Sequence, residues 1–192
     1  MEPIEEKVSP VLSVEEYLRM EEESEVKHEY VNGRVFATGG TSRDHNRIAG
    51  NLFAALHGHI QGGPCEVFMA DVKVRIEAAG DDAFYYPDVV VGCDPQDRNQ
   101  LYLTKPSVIF EVLSRTTERI DRREKFFAYR QLPTLEAYVL IAQHERRVEI
   151  YRRSSDWKVE ILEGDGKFDL PPPLDFSTPL STLYAGVESG ES

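Results

Sequence analysis

The run Ser107-Val108-Ile109-Phe110-Glu111-Val112-Leu113-Ser114 sets one carboxylate in the middle of an otherwise apolar, strand-forming stretch. Apolar residues at both phases of the alternation describe a strand covered on its two faces, at the centre of a sheet. A second run, residues 84–91 (Phe-Tyr-Tyr-Pro-Asp-Val-Val-Val), reads as another strand, with Asp88 at the entrance of its β-branched half. A carboxylate deep in a sheet is costly unless it is paired or coordinates a cation. Residues 116–132 then read as a helix stopped by Pro133, with Asp121, Lys125 and Tyr129 spaced four apart along one face. Two acids in apolar strands with a lysine soon after point to a hydrolase that uses a divalent metal.

A chain of 192 residues suits one domain, 1–192, with residues 1–11 expected as a flexible arm and residues 186–192 as a flexible tail. No apolar run approaches the ~18 residues that span a bilayer. The acidic start, Met1-Glu2-Pro3-Ile4-Glu5-Glu6, lacks the order of a signal peptide. Cys65 and Cys93 have no metal-type spacing, and a lone pair of cysteines is weak evidence for a disulfide. A cytoplasmic protein is expected, with no membrane association.

The formal net charge of −12 argues against a nucleic-acid partner, which usually meets a basic surface. The distribution softens that objection. Residues 1–29 hold ten acids and three bases, a net −7, whereas residues 115–130 hold six bases and three acids, a net +3. A local basic stripe therefore lies beside the candidate site, although a solvated helix face explains it equally simply.

In chain order, a first helix should start at Ser13, where Ser13 and Glu16 make a capping box and Leu12 can staple onto Tyr17. Residues 27–31 and 34–36 flank Asn32-Gly33 and read as a hairpin, with Glu29 on the same side of its strand as Val31. A second helix spans residues 44–60, capped by Ser42 or Asp44, with Ile48, Leu52, Ala55 and Leu56 on its apolar face. His45, in its first turn, reads more simply as a satisfied structural residue than as a ligand. Residues 65–76 alternate as one strand, and residues 94–105 form a polar loop long enough to flank a site. Residues 136–142, 146–152 and 157–162 read as a strand meander, 164–173 as a turn-rich crossing and 180–184 as a closing helical turn. The pattern is α+β.

Hydrolysing a phosphodiester near neutral pH needs a Lewis acid at the phosphoryl oxygen, an activated water and in-line geometry. Asp88 and Glu111 could chelate one hard cation, with the Val112 carbonyl as a further ligand and Glu29 as a third carboxylate. A lysine would stabilise the attacking hydroxide or the developing charge.

The motifs Tyr30-Val31-Asn32-Gly33-Arg34, His45, Tyr86-Pro87-Asp88-Val89-Val90-Val91, Glu111-Val112-Leu113-Ser114 and Asp121-Arg122-Arg123-Glu124-Lys125, in this order, resemble the Uma-type restriction endonuclease family. That family lies within the PD-(D/E)xK nuclease superfamily. The resemblance covers nearly the whole chain. It implies a restriction endonuclease-like fold, a central mixed β-sheet flanked by helices, and an endonuclease hydrolysing DNA with Mg2+ (or Mn2+). It implies Asp88 and Glu111 as ligands of one metal, Glu29 as a metal-supporting acid, and Lys125 as the catalytic lysine. The usual motif lysine, two residues after the second acid, is Leu113 here, so Lys125 on the following helix takes its place. A homodimer is expected, since two symmetric sites cut both strands of a duplex most simply. The alternative is a catalytically inactive nuclease-like binding or assembly module. Nothing in the chain reads a 2′-hydroxyl or builds a stacking platform for RNA.

Overall fold

The capping box forms as the sequence predicts, and it fixes where the first layer begins. In this computed structural model, which describes residues 11–78, 80–114 and 117–187, the Ser13 hydroxyl accepts the Glu16 N–H at 3.2 Å. The Glu16 carboxylate accepts the Ser13 N–H at 2.8 Å in return, opening α1 (Val14–Glu23). The hairpin follows as β1 (His28–Val31) and β2 (Arg34–Ala37), its turn made by Asn32 at φ 47° and Gly33 at φ 86°. Helix α2 (Arg43–Ile60) is capped by Ser42, not Asp44: the Ser42 hydroxyl takes the His45 N–H at 3.1 Å.

Two stretches that read as single strands are each divided between two sheets. Residues 65–76 become β3 (Glu66–Met69) and β4 (Lys73–Ala78), separated at Ala70, whose φ is 59°. Residues 84–91 fall into β5 (Asp81–Tyr85) and β6 (Val89–Gly92), separated at Tyr86-Pro87-Asp88. Apolar alternation continues across both breaks, so the pattern reads as one strand, while Pro87 has no N–H for a ladder. The polar loop at residues 94–105 contains a short strand, β7 (Tyr102–Leu103), ahead of β8 (Pro106–Leu113).

After Ser114 the helix is not uniform. Arg115 and Thr116 lie outside the described residues. The segment then runs α3 (Glu118–Ile120), a π-helical turn at Asp121–Lys125, and α4 (Phe126–Tyr129). The meander forms as β9 (Ala137–Ala142), β10 (Arg147–Arg152) and β11 (Val159–Glu163). The expected crossing at residues 164–173 holds a strand instead, β12 (Lys167–Leu170), paired with β13 (Phe176–Pro179) before α5 (Leu180–Leu183). The expected arm and tail fall mostly on residues 1–10 and 188–192, outside the described residues.

The sheets are β2-β1-β5-β4-β7 and β11-β10-β9-β8-β6-β3. Strand β8 is antiparallel to β6 and parallel to β9, which makes the larger sheet mixed, and all of its residues are buried. Alternation along the strands builds three apolar layers. Val89, Val91, Phe110, Val112, Val139 and Ile141 pack under Ile48, Leu52 and Leu56 of α2. Val90, Ile109, Leu113, Tyr138 and Leu140 face Val74, Ile76, Ala83 and Tyr85 of the smaller sheet, with Tyr129 of α4. Tyr17 of α1 covers Tyr30 and Phe84 on the smaller sheet's far side. The fold is α+β, with mixed sheets flanked by helices. Among the described residues no helix is long and apolar enough to cross a membrane.

The cysteines pair. Cys65 and Cys93, 28 residues apart, form a disulfide with Cα atoms 4.0 Å apart, just beyond the Glu66–Gly92 pair that joins β3 to β6. A lone cysteine pair at that spacing gives no sequence signal for this bond.

Candidate active site

The β6–β8 register places the two strand acids opposite each other. Val89 pairs with Phe110, so the next antiparallel position brings Asp88 to Glu111. The Glu111 carboxylate accepts the Asp88 N–H at 3.4 Å, and the Asp88 carboxylate accepts the Val112 N–H at 2.7 Å. The other Asp88 oxygen lies 2.9 Å from Nε2 of His45, in the first turn of α2. His45 is thus bonded to one of the candidate acids. Its Nδ1 is buried with no hydrogen-bonding partner among the described residues.

Glu111 sits deeper, at 3 % exposure, where Lys125 reaches it from the π-helical turn. The Lys125 ammonium stands 3.2 Å from Glu111, 3.0 Å from Glu29 and 3.4 Å from Asp121. Tyr129, one turn on, donates its hydroxyl to Glu111 at 3.3 Å. Lys125 is thus buried among three carboxylates, and its partner is not Asp121 alone. Burial opposes its charge, but Glu111, Glu29 and Asp121 outweigh that and raise its pKa well above the ordinary lysine value. Burial pushes the Glu111 and Asp121 carboxyls up, against the attraction of Lys125.

Glu29 enters from β1, with its carboxylate accepting the Tyr86 N–H at 3.3 Å, so the hairpin strand carries it to the cluster. The Tyr86 hydroxyl donates to Glu21 at 2.8 Å and takes the Lys73 ammonium at 3.2 Å, which ties α1 and β4 to the residue before Pro87. Sequence reading passed over Tyr86 and Glu21; their only signal was adjacency to the Pro-Asp motif and membership of an acidic run.

Asp88, His45 and Tyr86 line a cavity of about 430 Å³ that also takes in Lys27, Thr41 and Asn46. A second depression, of about 530 Å³, shares Thr41 and Asn46 and extends past Arg43 and Arg47 on α2. The expected basic stripe is less available than its sequence suggests. Arg122 is held by Glu118 and the buried Glu149, and Lys125 is enclosed, which leaves Arg119, Arg123 and Arg130 exposed. Arg115, also part of that stripe, lies outside the described residues.

The donor set fits an oxygen-seeking divalent cation. Asp88 and Glu111 adjoin, and Asp88 opens on the cavity with its side chain 20 % exposed. Among the described residues no three His, Cys, Asp or Glu side chains form a ready-made metal cage. A magnesium-type ion, which keeps several waters and uses one or two carboxylates, needs none.

Residues 14–181 match the family described as "Uma2: Putative restriction endonuclease". An uncharacterized protein of Synechocystis sp. is 34 % identical over 181 residues, covering 93 % of this chain and 94 % of the relative. A second uncharacterized Synechocystis protein is 36 % identical over 160 residues, covering 81 % and 89 %. Among solved structures, "a putative nuclease belonging to DUF820 from Anabaena variabilis" superposes with a TM-score of 0.75 at 16 % identity, covering 90 % of this chain and 97 % of that one. At that identity the likeness speaks for the fold.

Proposed function

The chain belongs to the Uma2 family of restriction endonuclease-like proteins, and on that premise we propose that it is a metal-dependent endonuclease hydrolysing DNA phosphodiester bonds. The observation that carries the reading is the meeting of Asp88 and Glu111 on paired strands, with a cavity beside Asp88 and a buried lysine on Glu111. Asp88 and Glu111 would hold one Mg2+ (or Mn2+), with Glu29 supporting the site through Lys125. The bound ion would supply Lewis-acid charge at the phosphoryl oxygen.

The chain's own residues supply the rest. His45 and the Val112 N–H fix the orientation of Asp88 from two sides. Tyr129 and Lys125 fix Glu111, and Lys125 keeps a positive charge beside it for the attacking water. The depression along α2, with Arg43 and Arg47, suits the phosphates flanking the scissile bond. Cutting a duplex on both strands favours a homodimer with two symmetric sites.

Incubation of purified protein with supercoiled plasmid, with and without Mg2+ or Mn2+, tests this reading. Metal-dependent nicking or linearisation that Asp88→Ala abolishes is the expected result; a plasmid left intact under every condition sinks it. One observation favours a second reading, a non-catalytic binding module: Lys125 is already engaged by three carboxylates, and Leu113 stands where the motif lysine would be. DNA retention without cleavage would select that reading.

A further inference from the structure

His45 is the sequence motif that the proposed reaction leaves half explained. We infer that His45 is a nitrogen ligand of the metal at Asp88, and that it biases the site toward Mn2+ over Mg2+. This rests on the metal site proposed above. The His45 side chain is 7 % exposed, and its Nε2 lies 2.9 Å from Asp88 Oδ1. Two atoms bound at right angles to one ion through bonds of ~2.1 Å stand about 3 Å apart, so the spacing of this hydrogen-bonded pair also matches one edge of an octahedron.

The tautomers sharpen the point. If Nε2 carries the proton and donates to Asp88, the buried Nδ1 keeps a lone pair with no donor in reach among the described residues. If Nδ1 carries it, two lone pairs face each other at 2.9 Å, an arrangement that a cation between them relieves. Both residues line the same cavity, which gives an ion a way in. Glu111 lies behind this pair, its carboxylate accepting the Asp88 N–H at 3.4 Å, so the imidazole and the Asp88 carboxylate are the two donors that border the cavity. Imidazole nitrogen suits transition metals, whereas Mg2+ prefers oxygen throughout. A second carboxylate in place of His45 would give a site with the opposite preference.

Electron paramagnetic resonance on the full chain titrated with Mn2+ alone reads this directly, without reference to cleavage. The wild type should show nitrogen-14 modulation in the spin-echo envelope of bound Mn2+, and His45→Ala should lose it. Mn2+ affinity should fall at least on the order of tenfold in His45→Ala, with Mg2+ affinity, measured by competition, falling less. His45→Gln can keep a hydrogen bond to Asp88, so it separates a ligand from a positioning residue; it too should lose the modulation and the Mn2+ preference. Mn2+ binding that requires Asp88 but shows no nitrogen coupling, or wild-type Mn2+ affinity in His45→Gln, overturns the inference and leaves the carboxylate site standing. No Mn2+ binding at all, or binding that survives Asp88→Ala, overturns the proposed metal site and this inference together.

Discussion

Lys125 makes ion pairs to three carboxylates, and two of them come from strands far away in the chain. Its spacing to Asp121 and Tyr129 is legible as a helix face, but nothing local announces Glu29 or Glu111. Removing the ammonium strands buried negative charge, so Lys125→Ala should lower stability by up to about 3–5 kcal/mol, read from urea unfolding. Assayed well below its melting temperature, the same variant should lose cleavage by roughly 10²–10³; wild-type turnover would remove Lys125 from the reaction. Glu111 gives the pH dependence. Its carboxyl is raised above the unfolded value of 4.5, chiefly by burial, so its contribution favours the fold at low pH. That contribution is lost as pH rises through the raised value. Glu111→Gln resembles the protonated form at all pH values, and its urea midpoint should gain on the wild type as pH rises from about 4.5 through the raised value. A constant difference across that window would show that Glu111 titrates normally.

At the scale of elements, local chemistry predicts ends better than it predicts partners. The Ser13 cap and the Asn32-Gly33 turn act through neighbours in sequence and appear where the sequence puts them, whereas the helix expected to run to Pro133 already ends at Tyr129. Residues 65–76 and 84–91 read as continuous because alternation survives the passage from one sheet to the other. Those two breaks flank the site: Ala70 and Tyr86 border the cavity beside Asp88. The π-helical turn at Asp121–Lys125 carries both of its buried charges into the chamber, in keeping with the tendency of such turns to mark functional positions. The disulfide fastens β3 to the far end of β6, the strand that begins beside Asp88. Closing a loop over 28 residues constrains the unfolded chain, so Cys65→Ser with Cys93→Ser should cost about 2–4 kcal/mol. An unfolding midpoint indifferent to reductant would show that the bond contributes nothing.

For the whole molecule, charge is arranged by face. The acid-rich first helix covers the smaller sheet, while the Arg43–Arg47 depression lies along α2, which packs on the larger one; the cavity beside Asp88 is lined from both regions, by Glu25 and Lys27 as well as by His45 and Asn46. A net charge of −12 is therefore compatible with a phosphate-binding track, since the excess acid is held largely elsewhere. The proposed homodimer should sediment at about 44 kDa at micromolar concentration, twice the chain mass of 21.9 kDa. Sedimentation at the monomer mass, with and without duplex DNA, would leave each molecule a single cutting site.

The sequence by itself determined the α+β class, the strand that carries Glu111, the start of the first helix and the order in which the site's acids and lysine appear. These follow from periodicity, caps and turn chemistry, which operate within a few residues. Only the tertiary structure decided that the strands split between two sheets, that Cys65 meets Cys93, that His45 turns onto Asp88 and that Lys125 is enclosed by three acids. Each of these is a contact between residues brought together through space, and burial changes what each charge can do; neither leaves a periodic trace along the chain.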